Sequence, residues 1–368
     1  MMNGEPSVRL LICAGGTGGG VYPALAVLDK LKSASPELLW VGGEGGMESE
    51  LVKRHEIPYA SIPAAGLHGV GLRTLPKNLS KLARGVSASR KILREFKPDA
   101  LFFTGGYVAV PMALAGWRTP SLLYVPDIEP GLALKSLAWF AEKITVTTPT
   151  SSVYFSRKDR IVTTGYPTRS NLSQWDKATA RKKLGLKKDK PVLLVFGGSK
   201  GARSINNALL DNLPALLKQT QIVHISGKLD WETVQNTRND LAPKQVENYR
   251  VFDYLHEEMG AALASADLVV SRAGASSLGE FPLFGLPAVL VPYPYAWRYQ
   301  KVNAEYLQEK SAAIMVRDEN LSARLLSLVD ELLGNSQKLD AMQIAMKKLA
   351  RPNAAENIAA ELLALGRI

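Results

Sequence analysis

The sequence predicts an α/β protein of two Rossmann-like domains whose parallel sheets face each other across a cleft. Three observations lead there. Runs that are apolar throughout alternate with helical patterns, as strands covered on both faces require. A strand, a glycine cluster and a helix open the chain, and the same succession returns in its second half. The length, 368 residues, suits two domains better than one.

The elements follow in order. Ser7 to Ala14 reads as a strand, Gly15 to Gly20 as a tight turn, and Pro23, Leu25, Val27, Leu28 and Leu31 as one helix face. Glu37 to Val41, Ala100 to Phe103, Ser121 to Val125 and Lys143 to Val146 supply further strands. The stretch from Ala100 to Trp117 lacks any charge and is long enough to span a membrane, but Gly105, Gly106 and Pro111 divide it into a buried strand, a turn and a short helix. The apolar run Leu10 to Ala14 is too short for a signal peptide. In the second half, Pro191 to Phe196 leads into Gly197 to Ala202 and a helix carrying Ile205, Leu209, Leu210, Leu213 and Leu217. Strands at Gln221 to Ile225, Leu268 to Ser271 and Ala288 to Val291 follow, and a last helix runs from Asn353 to Leu365.

Gly165-Tyr166-Pro167 and the charged stretch through Lys190 mark the break between halves. The expected division is an N-terminal domain over residues 1–164, a C-terminal domain over 165–345, and a terminal helix over 346–368 that packs back on the N-terminal domain. Ligands of such sheets lie beyond the carboxyl ends of the strands.

Forty-five Lys and Arg against 34 Asp and Glu leave a charge of +11, so the partner is anionic: nucleic acid, a membrane surface or a phosphorylated molecule. One cysteine and four histidines argue against disulfides and a metal centre. No zinc-finger spacing, RRM signature or aromatic stacking platform appears, which disfavours nucleic acid.

Glycine turns between strand and helix present unpaired backbone N–H groups, which favour phosphate. Gly15 to Gly20, Gly197 to Ala202 and Ala273-Gly274-Ala275-Ser276-Ser277 are three such loops. A dinucleotide fingerprint fails because Gly16-Thr17-Gly18 lacks its third glycine at the required offset and the next strand ends in Val41-Gly42-Gly43 with no acid. A Walker loop fails too, since Gly201 is followed by Ala202.

Together, Gly15 to Gly19, the stretch Gly43 to Val52, Gly105-Gly106-Tyr107, Gly197 to Ala202, and Ser271 to Ala275 with Glu280 resemble the MurG family of glycosyltransferases, in order and over nearly the whole chain. The resemblance implies the GT-B fold and inverting transfer of N-acetylglucosamine from UDP-N-acetylglucosamine to the C4 hydroxyl of undecaprenyl-pyrophosphoryl-N-acetylmuramyl-pentapeptide, without metal or other cofactor. It also implies a peripheral place on the cytoplasmic face of the cell membrane.

By the same resemblance the C-terminal domain holds the donor. Ser199 and the loop Ala275, Ser276, Ser277, Leu278, Gly279 would contact the diphosphate, and the helix start after that loop would stabilise departing UDP. Glu280 would accept from both ribose hydroxyls, Leu255 would frame the uracil, Arg169 matches the family's interdomain arginine, and Gln300 would bind the sugar. Thr17, Gly18 and Gly19, with Gly105 to Tyr107, would surround the acceptor pyrophosphate, and Gly66 to Gly71 resembles an acceptor loop.

This chain departs from the family at Gly20, where the family has His, and over Tyr124-Val125-Pro126-Asp127, where it has His-Glu-Gln-Asn. The segment Tyr295 to Tyr299 before Gln300 also differs. A sugar hydroxyl needs a base, and Asp127 is the candidate, with Glu129 and His68 as rivals. Two other readings stay open: a diverged transferase with another sugar donor or lipid acceptor, and a non-catalytic nucleotide-sugar-binding protein.

Between Leu72 and Lys97 eight basic residues stand against one acid, with Leu75, Leu79, Leu82 and Val86 at helical spacing. Such a stripe is either a core-facing surface helix or, as the resemblance implies, an anionic-membrane patch that Trp117 and Arg118 extend.

Overall fold

A computed structural model describes residues 8–15, 18–46, 48–65, 75–198 and 200–366. The first apolar run becomes β1 (Arg9–Ala14), with every side chain after Arg9 buried. It is joined by β2 (Glu37–Gly43), β3 (Tyr59–Ile62), β4 (Ala100–Gly105), β5 (Ser121–Val125), β6 (Lys143–Val146) and β7 (Ile161–Thr163) in a seven-stranded sheet ordered β3-β2-β1-β4-β5-β6-β7. All its pairings are parallel. The helices are α1 (Gly18–Lys30), α2 (Glu48–Lys53), α3 (Leu75–Phe96), α4 (Ala109–Ala115) and α5 (Leu132–Leu137).

The second sheet contains β8 (Val192–Phe196), β9 (Gln221–Ile225), β10 (Tyr249–Phe252), β11 (Leu268–Ser271), β12 (Ala288–Leu290) and β13 (Ala313–Met315), ordered β10-β9-β8-β11-β12-β13 and again parallel. Around it lie α6 (Lys177–Lys183), α7 (Arg203–Gln219), α8 (Trp231–Asn239), α9 (Pro243–Val246), α10 (Met259–Ser265), α11 (Glu280–Phe284), α12 (Trp297–Glu309), α13 (Leu321–Leu333) and α14 (Ser336–Lys347). The last helix, α15 (Ala354–Leu365), returns to the first unit.

The two compact units are Met1–Thr168 with Pro352–Ile368, and Arg169–Arg351. Helix α15 packs against α1 and β5, with Ile358, Ala359 and Leu362 buried, and the Lys30–Glu356 and Lys143–Glu361 pairs at 2.8 and 2.6 Å bracket it. Among the described residues no helix is long and apolar enough to cross a membrane; the uncharged stretch after Ala100 is divided between β4 and α4.

Strand order places the ligand sites. In both sheets the order reverses beside the first strand, between β1 and β4 and between β8 and β11. At such a switch point neighbouring loops leave in opposite directions and open a crevice. A register shift between Cys13 and Ala14, where Ala14 pairs with Gly105, interrupts the β1–β4 ladder at that crevice.

Candidate active site

In the first unit the crevice is built from backbone. Gly18 and Gly19 open α1, and Gly105 and Gly106, with φ of 119° and 87°, turn the chain out of β4. Only glycine takes such angles without strain, and a Cβ on Gly106 would lie 2.5 Å from the Gly15 carbonyl oxygen. The two loops therefore touch main chain to main chain. Thr17, Ser199, His68 and the Gly66 to Gly71 stretch lie outside the described residues.

Position 20 is closely packed against β4. Thr104 Oγ1 donates to the Gly20 carbonyl at 2.8 Å, and a Cβ on Gly20 would meet Thr104 O and Oγ1 at 3.2 Å. A side chain at position 20 would therefore require Thr104 to give way by a few tenths of an ångström. Tyr124, at the family's other histidine position, is fully buried and hydrogen-bonded to Thr147 Oγ1 at 2.9 Å. Burial, with Tyr166 and Asp127 adding to it, pushes its phenol well above the usual range. Asp127 leaves β5 half-buried. Glu129 is buried against Lys135 at 3.4 Å, a pairing that commits its charge to the fold.

The second unit gathers more of the expected side chains. Arg169 Nη1 donates to the His256 carbonyl at 3.3 Å, which brings it beside Leu255 at the exit of β10. Its guanidinium also acts on Glu280, the first residue of α11. Burial outweighs that pull and holds the Glu280 carboxyl up at about 7. Ser277 is committed inside its own loop, with Oγ and N both donating to the Gly274 carbonyl, at 2.6 and 3.0 Å; Leu278 is buried, and Gly279 N donates to the Ser276 carbonyl at 3.1 Å. Ala275–Leu278 form one 3₁₀ turn and α11 is five residues long. Elements this short carry little helix dipole.

Asn303 and Arg272, to which sequence reasoning gave no role, hold this loop. Asn303 Nδ2 donates to the Ala273 carbonyl at 3.1 Å from inside the core, while Gln300, one turn earlier on α12, accepts from Tyr293 N at 2.8 Å. The i, i+3 spacing in Gln-Lys-Val-Asn thus ties the helix carrying Gln300 to the loop. Arg272 reaches from the same loop to Ser204 Oγ at 2.7 Å, pairs with Asp318 and donates to the Val291 carbonyl at 3.2 Å. Ser204 lies in the first turn of α7, directly after Gly197 to Ala202, so Arg272 braces one glycine loop against the other. Gly201, with φ of 79°, rests on Ser226 and Gly227, and Asn206 fixes the Ser226 carbonyl at 2.9 Å.

Helix α3 turns Gly85 and Ser89 inward and leaves Arg84, Ser87, Lys91 and Arg94 along an open groove. Leu79 on the same helix is 49% exposed, and Trp117 after α4 is 60% exposed beneath the Arg118 guanidinium. The helix is thus core-facing along part of its length and carries an apolar and cationic outer surface. Among the described residues no cluster of His, Cys, Asp or Glu is placed to hold a metal ion.

Two Rossmann-like units, each with glycine loops at its switch point, give the GT-B architecture, and the family models that match both units make the protein a glycosyltransferase. The chain belongs to glycosyltransferase family 28, among its MurG-type members: the family's N-terminal domain matches residues 10–146 and its C-terminal domain residues 192–358. A relative from Roseiflexus sp. is 36% identical over 97% of this chain and 95% of its own length. One from Moorella thermoacetica is 39% identical over 95% and 97%. Both bear the name UDP-N-acetylglucosamine--N-acetylmuramyl-(pentapeptide) pyrophosphoryl-undecaprenol N-acetylglucosamine transferase. The crystal structure of Acinetobacter baumannii MurG is similar with a TM-score of 0.76 at 27% identity, covering 98% of this chain and all of its own. A UDP-GlcNAc 2-epimerase from Neisseria meningitidis shares the fold at 12% identity and a TM-score of 0.69, over 97% of this chain and 100% of its own.

Proposed function

We propose that this protein transfers N-acetylglucosamine from UDP-N-acetylglucosamine to the C4 hydroxyl of undecaprenyl-pyrophosphoryl-N-acetylmuramyl-pentapeptide, inverting the anomeric centre. The observation that carries this reading is the near full-length similarity to relatives named for that transfer, at 36 and 39% identity. The arrangement of Arg169, Leu255 and Glu280 around the loop Ala275 to Gly279 supports it, because a UDP-sugar needs a diphosphate cradle, a base slot and a diol acceptor in one place.

In this reading the second unit binds the donor. The ionised Glu280 carboxylate accepts from the two ribose hydroxyls, Leu255 lies against uracil, and Gln300 contacts the sugar. Ser199 and the loop Ala275 to Gly279 take the diphosphate, whose charge grows as the glycosidic bond breaks; Arg169 adds a cation there. The first unit binds the acceptor pyrophosphate on main-chain groups at Thr17, Gly18, Gly19 and the turn after β4. Asp127 removes the C4 hydroxyl proton as that oxygen attacks the anomeric carbon from the face opposite UDP. The acceptor is lipid-linked, so the enzyme works as a peripheral protein on the cytoplasmic face of the membrane. The basic outer surface of α3, with Trp117 and Arg118, meets anionic lipid.

Gly20 and Tyr124 stand where the family has histidines, and they favour a second reading, a diverged transferase with a different lipid acceptor. Incubation with labelled UDP-N-acetylglucosamine and a short-chain lipid acceptor decides between the two. Labelled lipid product supports the first, product with another acceptor alone supports the second, and binding without product refutes both.

A further inference from the structure

Glu48, the first residue of α2, belongs to none of the roles above, yet it is 2% exposed at the carboxyl ends of β1, β2 and β3. A buried carboxylate is costly unless the surrounding structure uses it. Its Oε1 accepts from Gly43 N at 2.8 Å, at the exit of β2. A Cβ on Gly15 or Gly42 would stand 2.6 or 2.8 Å from the same oxygen, and one on Gly46 would collide with both carboxylate oxygens. The carboxylate occupies the space where three side chains would begin.

The other face of Gly15 carries Gly106, whose absent Cβ would lie 2.5 Å from the Gly15 carbonyl. Glu48 thus lies against Gly15, and Gly15 in turn lies against Gly106. The Glu48 charge is felt nearby: it adds to burial in raising the Cys13 thiol and in holding the Tyr59 phenol up at about 12.

We propose that Glu48 is a positioning residue for acceptor binding, setting Gly15 at the exit of β1 and, through Gly15, the Gly105–Gly106 turn, without touching the acceptor. This rests on the reading that the first unit takes the lipid pyrophosphate. A hydrophobic residue would fill the same volume but would accept no N–H, and a shorter acid would withdraw its oxygens from Gly15.

The test compares wild type, Glu48→Asp and Glu48→Gln in the full-length protein, using UDP-N-acetylglucosamine and a short-chain pyrophosphoryl-muramyl-pentapeptide lipid. Glu48→Asp is expected to raise the acceptor KM at least tenfold with the donor KM within twofold, and Glu48→Gln, which keeps an oxygen for Gly43 N, to recover part of the loss. Amide exchange over residues 14–20 and 42–46 is expected to quicken in Glu48→Asp. An unchanged acceptor KM, or donor and acceptor KM rising in parallel, overturns the proposal. If wild type transfers nothing, the functional reading fails and exchange alone decides: unchanged protection overturns the positioning role. If Glu48→Asp does not fold, Glu48→Gln carries the same comparisons.

Discussion

If Glu280 binds the ribose diol, its raised carboxyl pKa should make donor binding pH-dependent. Its carboxyl is held at about 7 against an ordinary 4.5, chiefly by burial, with Arg169 opposing. Only the ionised form presents two acceptor oxygens to a ribose diol; the protonated form spends one as an O–H donor. The binding-competent fraction at pH 5.5 is then roughly 3%, against about 90% at pH 8. Apparent affinity for UDP-N-acetylglucosamine should therefore fall about 30-fold from pH 8 to pH 5.5, whereas an ordinary glutamate would give a change of about 1.1-fold. The sugar nucleotide suits the assay better than UDP because its diphosphate has no ionisation in that window. Isothermal titration of wild type and Glu280→Gln checks this, and Glu280→Gln should bind weakly with a flat profile.

Stability runs the opposite way. The folded pKa lies above the unfolded one, so the native state holds more protons between about 4.5 and 7 and loses stability as pH rises across that window. Glu280→Gln should be more stable than wild type at pH 8 by on the order of 1–3 kcal/mol, and the gain should vanish below about pH 4.5. A flat wild-type binding profile together with a destabilised Glu280→Gln would refute the argument.

Three further outcomes are expected. Asp127→Asn should lower transfer by about 10²–10⁴-fold with donor affinity unchanged, and undiminished turnover would remove Asp127 as the base. Replacing Arg84, Lys91 and Arg94 together by Gln should weaken sedimentation with anionic vesicles at low salt by about 10²-fold, at roughly 1 kcal/mol per charge, and equal sedimentation would displace α3 from the membrane surface. Gly201→Ala forces a side chain into a left-handed conformation against Ser226, and should cost about 1–3 kcal/mol in urea unfolding and abolish donor binding; wild-type values for both would contradict the bracing of the loop.

The central strands were legible because they are apolar on both faces: β1, β4, β5, β8, β9 and β11 are runs with nearly every side chain buried. The strands that escaped were β3, β7, β10 and β13, which are the edges of the two sheets. Each is half-exposed and short, so neither a continuous apolar run nor clean alternation marks it. The glycine loops were readable for the same local reason, since a strand, a turn and a helix announce themselves within a dozen or so residues. Glu48, Arg272 and Asn303 were not. Arg272 acts on the Ser204 hydroxyl, Asn303 on the Ala273 carbonyl and Glu48 against Gly15, each distant in sequence, and no spacing rule reports a contact that tertiary packing creates. Gly20 was visible as a departure, but its close contact with Thr104 appears only when α1 lies on β4.

The most direct test of the account is the stereochemistry of the product formed from UDP-N-acetylglucosamine and the short-chain muramyl-pentapeptide lipid, read by proton NMR of the new anomeric centre. The account predicts a disaccharide joined β-1,4, with the large diaxial coupling that marks inversion of the α-linked donor. An α-linked product, or release of free N-acetylglucosamine without lipid-linked disaccharide, would contradict it.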